Sequence, residues 1–215
     1  ERDYRAQHVR SLAALAAQDF SGPWELIVVD NGSTDGTARV ATSAADHRDC
    51  SVRVVSEPRR GLNIARNAGV AEASADKIAI CDADDAVDPG WLRAMLEGLN
   101  EFDLVGGAMR TTRINTRSAL ELRGLSGSQG LGRSVGKGLG YLPQVIGANF
   151  GFTRAIWEQV GRFDERFQRG GGDVDFAWRA QLRGTTIGYR SDPMRSSITD
   201  SVRTSPQHSD STSVT

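Results

Sequence analysis

The chain has 215 residues and a mass of 23.2 kDa, which at about 100 to 200 residues per domain corresponds to one domain, or one domain with appendages. Hydrophobic residues make up 39% and charged residues 25%, enough apolar material for a real core and too much for disorder along the whole chain. A formal net charge of −1 gives no electrostatic basis for wholesale nucleic-acid binding or for docking on an anionic membrane.

The longest apolar runs, such as Leu26–Val29 and Ile78–Cys81, fall far short of the ~20 residues that cross a bilayer, so neither a membrane span nor a signal peptide is predicted. Cys50 and Cys81 are too few for a disulfide framework or a zinc site, and a reducing cytosol is the default expectation. Along the chain, Val9, Leu12, Ala13 and Ala16 are spaced by three and four and predict one face of an opening helix that ends before Gly22-Pro23. Glu25–Asp30 reads E-L-I-V-V-D, a β-branched apolar run suited to a strand buried on both faces, with Asp30 at its carboxyl end. Ser33-Thr34-Asp35 offers capping side chains for a helix over Gly36–Ala45. A strand over Val52–Val55, a helix over Leu62–Ala73, a strand over Lys77–Asp82, a helix over Trp91–Leu99 and a strand near Leu104–Val105 follow. Alternation of β and α at this pitch predicts a doubly wound α/β sheet, in which a ligand lies outside the carboxyl ends of the strands. Asp30 and Asp82 both fall at such ends.

After Arg110 seven glycines fall between Gly124 and Gly140, which predicts either a mobile loop over a site or an insertion without a role. Order is expected to resume at Ile146, with a helix over Asp173–Leu182. From Ser191 to Thr215, 12 of 25 residues are Ser or Thr and none is Leu, Phe, Tyr or Trp, so this stretch is predicted to be a disordered tail.

The acidic run Asp82-Ala83-Asp84-Asp85 places three carboxylates in four residues, which repel one another unless a cation or hydrogen-bond donors sit among them. Hard oxygen ligands of this kind suit Mg²⁺ or Mn²⁺ accompanied by substrate phosphates. Asp-x-Asp alone is weak evidence, since acidic loops are common. It gains weight from its neighbours: V-V-D-N-G-S-T-D-G-T (Val28–Thr37), G-L-N-I-A-R-N-A-G-V (Gly61–Val70) and I-C-D-A-D-D (Ile80–Asp85), followed by I-G-A-N-F-G-F-T-R (Ile146–Arg154), G-R-F-D-E-R-F (Gly161–Phe167) and G-G-G-D-V-D-F-A-W-R (Gly170–Arg179).

In these segments the chain resembles the family 2 glycosyltransferases. The resemblance implies a GT-A fold: a doubly wound, mostly parallel sheet flanked by helices, with a nucleotide-sugar half over about 1–110 and an acceptor half over about 111–190. It implies inverting transfer of a sugar from a nucleotide-diphosphate sugar, a UDP-sugar first of all, to a hydroxyl of a saccharide, lipid-linked or other acceptor. Asp30 would contact base and ribose, with Asn31 beside it where many members have a second Asp. Arg66 would lie near the diphosphate, Asp82 would face the ribose, and Asp84 would bind a divalent metal, Mn²⁺ or Mg²⁺. Asp85 would support the loop. Asp173 would be the general base, with a plain helix-capping carboxylate as its alternative reading and Asp175 as the reserve candidate. Gly172 stands where Glu is common. Asn149 and Trp178 would line the acceptor cleft, although packing explains Trp178 equally well.

Glycoside hydrolysis also uses paired carboxylates but requires no nucleotide pocket, and a phosphoacceptor domain explains the strand-end aspartates but not Arg66 or the acceptor-half motifs. The family's first strand, with its Pro-x-x-Asn-like end, and its C-terminal metal-binding His have no counterpart in this sequence. A catalytically inactive nucleotide-binding or interaction remnant is therefore the alternative function. The setting implied by analogy is cell-envelope polysaccharide synthesis, in the cytoplasm or peripheral at the inner face of the membrane.

Overall fold

The computed structural model describes residues 4–33, 50–110, 137–138, 140–168, 170–195 and 213–214. The expected helix over Gly36–Ala45, nearly all of the glycine-rich stretch and most of the tail lie outside the described residues. The helices are α1 (Tyr4–Ala16), α2 (Leu62–Glu72), α3 (Trp91–Glu101), α4 (Arg154–Val160) and α5 (Gly172–Gln181). The strands are β1 (Trp24–Asp30), β2 (Cys50–Ser56), β3 (Lys77–Asp82), β4 (Leu104–Arg110), β5 (Lys137–Gly138), β6 (Leu142–Pro143), β7 (Asn149–Thr153), β8 (Ile187–Arg195) and β9 (Ser213–Val214).

Seven strands form one sheet in the order β2-β1-β9-β3-β7-β4-β8, and β5 pairs with β6 as a separate ribbon. β1 runs parallel to β2, and β4 parallel to β8. β7 is antiparallel to both β3 and β4, and β9 to both β1 and β3. Strands β2, β1, β3, β4 and β8 thus all point one way, as a doubly wound sheet requires. Two oppositely directed strands are inserted among them, so that neighbouring pairings are mixed. β9 bridges β1 and β3 only at Val28, Val29, Cys81 and Asp82. Beyond it Trp24–Ile27 and Lys77–Ala79 border an apolar cavity of about 380 Å³ that is also walled by Leu15, Trp91 and Met95.

The period of two along a strand sends alternate side chains to opposite faces, and here both faces are covered. Leu26 and Val28 of β1, with Cys81 of β3, pack against Leu12 and Leu15 of α1 and against Trp91, Met95 and Leu99 of α3. Ile27 and Val29 turn to Ala65 of α2. Ile78 and Ile80 join Phe150 and Phe152 of β7, Phe163, and Phe176 of α5 in an aromatic core, where the Phe163 and Phe176 rings lie 4.5 Å apart. α3 buries Trp91, Ala94, Met95, Gly98 and Leu99, the spacing of an amphipathic helix lying on a sheet.

Two expectations need correction. The face that α1 buries is Gln7, Ser11, Leu12 and Leu15, whereas Val9 is half exposed. Two leucines remove more apolar area from water than Val9 and the small alanines do, and they set the helix rotation. β8 continues through Arg195, past the boundary at 190 drawn from composition. It pairs in parallel with β4 as far as Arg110, with a register shift between Gly107 and Ala108. A ladder of backbone hydrogen bonds does not require the apolar side chains that the composition lacks.

Candidate active site

The carboxyl ends of β1 and β3, the start of β7 and the amino end of α5 meet at one edge of the sheet. Asp30, at the end of β1, accepts the Ser33 N–H on Oδ1 at 3.0 Å, closing a turn. Asn31 next to it is buried. Its Nδ2 donates to the carbonyls of Glu57 (3.0 Å) and Arg59 (2.6 Å), and its Oδ1 accepts the Gly61 N–H at 2.8 Å. Asn31 therefore holds the loop that leads into α2, and α2 carries Arg66.

Arg66 is 2% exposed. Its guanidinium lies over the rings of Phe150 and Phe163, 5.7 and 5.8 Å from their centroids. Nη2 donates to the Gly147 carbonyl at 2.8 Å and stands 3.8 Å from Asp82 Oδ1. Burial pulls its pKa below the ordinary arginine value, against the attraction of Asp82 and Asp173. Arg66 Nε and Asp82 Oδ1 are both enclosed and have no hydrogen-bond partner. A buried donor and a buried acceptor left open in this way are costly unless a ligand completes them.

Asp82 ends β3, and its carboxyl is pushed up to about 6. Burial of Oδ1 is the main cause, Arg66 opposes it, and the like charges of Asp84 and Asp173 add to it. Its other side reaches solvent, since the side chain is 36% exposed. Asp82, Asp84 and Asp85 each offer a carboxylate oxygen, and these oxygens lie within 4.8 Å of one another. Three hard donors at that spacing fit a divalent cation, and Asp82 also carries the buried Oδ1 that has no hydrogen-bond partner. Asp85 is buried, and its N–H bonds back to the Asp82 carbonyl at 3.1 Å. The cluster thus takes in a residue expected only to support the loop.

On the opposite wall α5 is entered through Gly171 at φ 82°, a left-handed backbone that favours glycine. Asp173, in the first turn, accepts the Gly147 N–H on Oδ2 at 2.7 Å. Asp175, two residues on, is bound at 2.6 Å by Arg179, which also donates to the carbonyls of Val160 and Arg162. Trp178 donates its indole N–H to the Leu142 carbonyl at 3.1 Å and meets the exposed Tyr141 edge-on, with ring centroids 5.2 Å apart. Asn149 is fully buried. It accepts the Trp91 indole N–H and donates to the Ala108 carbonyl, each at 2.8 Å.

Asp30, Arg66, Asp82, Asp84 and Asp173 are thus gathered at one sheet edge. Asn31, Asn149 and Asp175 have their polar groups engaged inside the fold. Nothing in the sequence pattern marks Gly147 as the junction between Arg66 and Asp173, because those partners lie 81 and 26 residues away.

The sequence profile described as Glycosyl transferase family 2 matches residues 8–161. Glycosyltransferase AglE of Haloferax volcanii is 27% identical over 186 residues, covering 85% of this chain and 60% of its own. The solved structures of S. aureus TarS 1-349 with UDP-GlcNAc (18% identity, TM-score 0.66, 96% of this chain and 57% of that one) and of the mannosyltransferase PcManGT from Pyrobaculum calidifontis with GDP-Man and Mn²⁺ (21%, 0.67, 94% and 56%) share the fold. The chain therefore spans about three-fifths of the length of AglE and less of the two structures. Among the described residues no helix is long and apolar enough to cross a membrane.

Proposed function

Because the chain belongs to glycosyl transferase family 2, we propose that it transfers a sugar, with inversion, from a nucleotide-diphosphate donor, a UDP-sugar first of all, to an acceptor hydroxyl. The observation that carries this reading is the meeting at one sheet edge of a buried cation, Arg66, whose Nε has no hydrogen-bond partner, an acidic triplet and Asp173. In this reading the chain through the end of β8 at Arg195 forms one GT-A domain, with the donor half up to about 110 and the acceptor half after it.

Asp30 and Asp82 take the base and ribose side of the donor, and Asn31 keeps that wall rigid through the loop it binds. Arg66 faces the diphosphate. It is preorganised by burial and by the Phe150 and Phe163 rings, so it stabilises developing negative charge without reorganising. Asp84, with Asp82 and Asp85 beside it, would hold Mn²⁺ or Mg²⁺, which when bound neutralises charge on the leaving diphosphate. The Asp173 carboxylate takes the proton of the acceptor hydroxyl. The acceptor oxygen bonds to the anomeric carbon as the bond from that carbon to the diphosphate breaks on the opposite side, releasing the nucleoside diphosphate. Nucleotide-sugar complexes of two proteins of the same fold support the donor class, and the assembled cluster favours an enzyme over an inert remnant.

Thermal unfolding of the chain with UDP, with Mn²⁺, with both, and with both on Asp84→Asn tests this. Ligand at ~100 times Kd adds about 2.7 kcal/mol, a shift of a few degrees for a domain of this size. A shift that needs both ligands and vanishes in Asp84→Asn is expected; no shift under any condition overturns the donor-site reading.

A further inference from the structure

We infer that Gly147 is a positioning residue that holds the donor-side cation and the acceptor-side carboxylate in register; the inference rests on the roles proposed above for Arg66 and Asp173. The two peptide groups flanking the Gly147 Cα are bound in opposite senses. The N–H of the preceding peptide donates to Asp173 Oδ2 at 2.7 Å, and the carbonyl of the following peptide accepts from Arg66 Nη2 at 2.8 Å. Each peptide group is planar, so only the two dihedral angles at Gly147 fix the direction of one bond relative to the other.

Glycine is required here by space and not by backbone conformation. Gly147 is not among the glycines with positive φ. A Cβ at this position would stand 2.6 Å from Arg66 Nη2 and 3.0 Å from Asp173 Oδ2. A surface arginine would swing aside, but Arg66 is 2% exposed, lies over two phenylalanine rings and faces Asp82. Movement of its head group therefore changes its distance from Asp82 and from the diphosphate position. Movement of the Asp173 carboxylate changes which oxygen meets the acceptor. With Oδ2 held by Gly147, the other oxygen is the one presented for the proton.

The test uses the full chain and two independent readouts. In the first, amide exchange at Gly147 is followed by NMR in the wild type, Asp173→Ala and Asp173→Asn. Asp173→Ala is expected to speed that exchange at least about tenfold, while Asp173→Asn, which keeps an acceptor oxygen, preserves the protection. In the second, calorimetry with UDP and Mn²⁺ is expected to show Gly147→Ala binding at least about tenfold more weakly than the wild type while its unfolding stays cooperative. Unchanged exchange in Asp173→Ala overturns the proposal, and so does wild-type affinity in Gly147→Ala. If the wild type itself binds no UDP with Mn²⁺, the proposed function falls and the exchange readout alone decides the register.

Discussion

Gly172 and Asn63 share one space: a Cβ added at Gly172 would overlap the Asn63 carboxamide, whose Nδ2 donates to the Asp164 carbonyl at 2.8 Å. The missing glutamate at position 172 is therefore more than an absent carboxylate. A neutral amide reaching over from α2 fills the place beside Asp173, and any side chain at 172 must evict it.

Gly172→Glu is expected to destabilise the fold by about 2 to 4 kcal/mol, from overpacking together with a buried hydrogen bond lost at Asn63. Asn63→Gly in the same chain should recover at least half of that loss. Urea denaturation of the two single variants and the double variant measures the coupling; additive effects would show that the two positions do not compete.

The raised pKa of Asp82 has a direct consequence for stability. Its folded value, about 6, lies above the ordinary 3.8, so the folded chain binds the proton more tightly than the unfolded one. The group costs nothing below about pH 4, and stability is lost as pH rises through about 6. A rise from 3.8 to about 6 would correspond to about 3 kcal/mol, but solvent reaches a side chain that is 36% exposed, and screening leaves about 1 kcal/mol. Without added metal, Asp82→Asn should therefore match the wild type near pH 4 and exceed it by about 1 kcal/mol at pH 7. Mn²⁺ should erase that advantage by stabilising the wild-type carboxylate alone. A stability difference that stays flat from pH 4 to pH 7 would show that Asp82 is not perturbed in this way.

Asp173 and Asp175 sit two residues apart on α5 and should fail differently. Asp173→Asn keeps an acceptor oxygen for the Gly147 N–H, so its stability should stay within about 0.5 kcal/mol of the wild type while kcat falls roughly 10² to 10⁴-fold. Asp175→Asn weakens the partly buried pair with Arg179, the residue that binds the carbonyls of Val160 and Arg162. It should cost about 1 to 2 kcal/mol of stability and leave kcat within a few-fold. Steady-state kinetics beside denaturation curves separate the two, and the opposite pattern would move the base to Asp175.

The elements that were legible in the sequence are those whose own residues dictate them. The apolar run E-L-I-V-V-D forms β1, the helix predicted over Trp91–Leu99 forms as α3, and β3 begins and ends at Lys77 and Asp82, as the sequence predicts. The strand-end aspartates followed from the same logic. Relations set by packing were not legible. The direction of β7 between β3 and β4, the rotation of α1, the extension of β8 to Arg195 and the exclusion of a side chain at Gly147 each depend on partners remote in sequence. Polar residues show the same limit most plainly, since an Asn or Asp in a motif looks identical whether its side chain meets a substrate or is used up inside the fold.

Asn149 is the clearest case. Its side chain joins the Trp91 indole N–H to the Ala108 carbonyl, linking the start of α3 to β4 across β7, and it fills the space above Gly107, where a Cβ would collide with the carboxamide. Asn149→Ala leaves a buried donor and a buried acceptor without partners and opens a void, so a loss of about 2 to 4 kcal/mol is expected. Trp91→Phe removes one of the two bonds, and a double-mutant cycle between the positions should return a coupling of about 1 kcal/mol. Because the residue is fully buried, the folded fraction of Asn149→Ala should keep the wild-type KM for acceptor. A raised acceptor KM with unchanged stability would instead return Asn149 to the cleft.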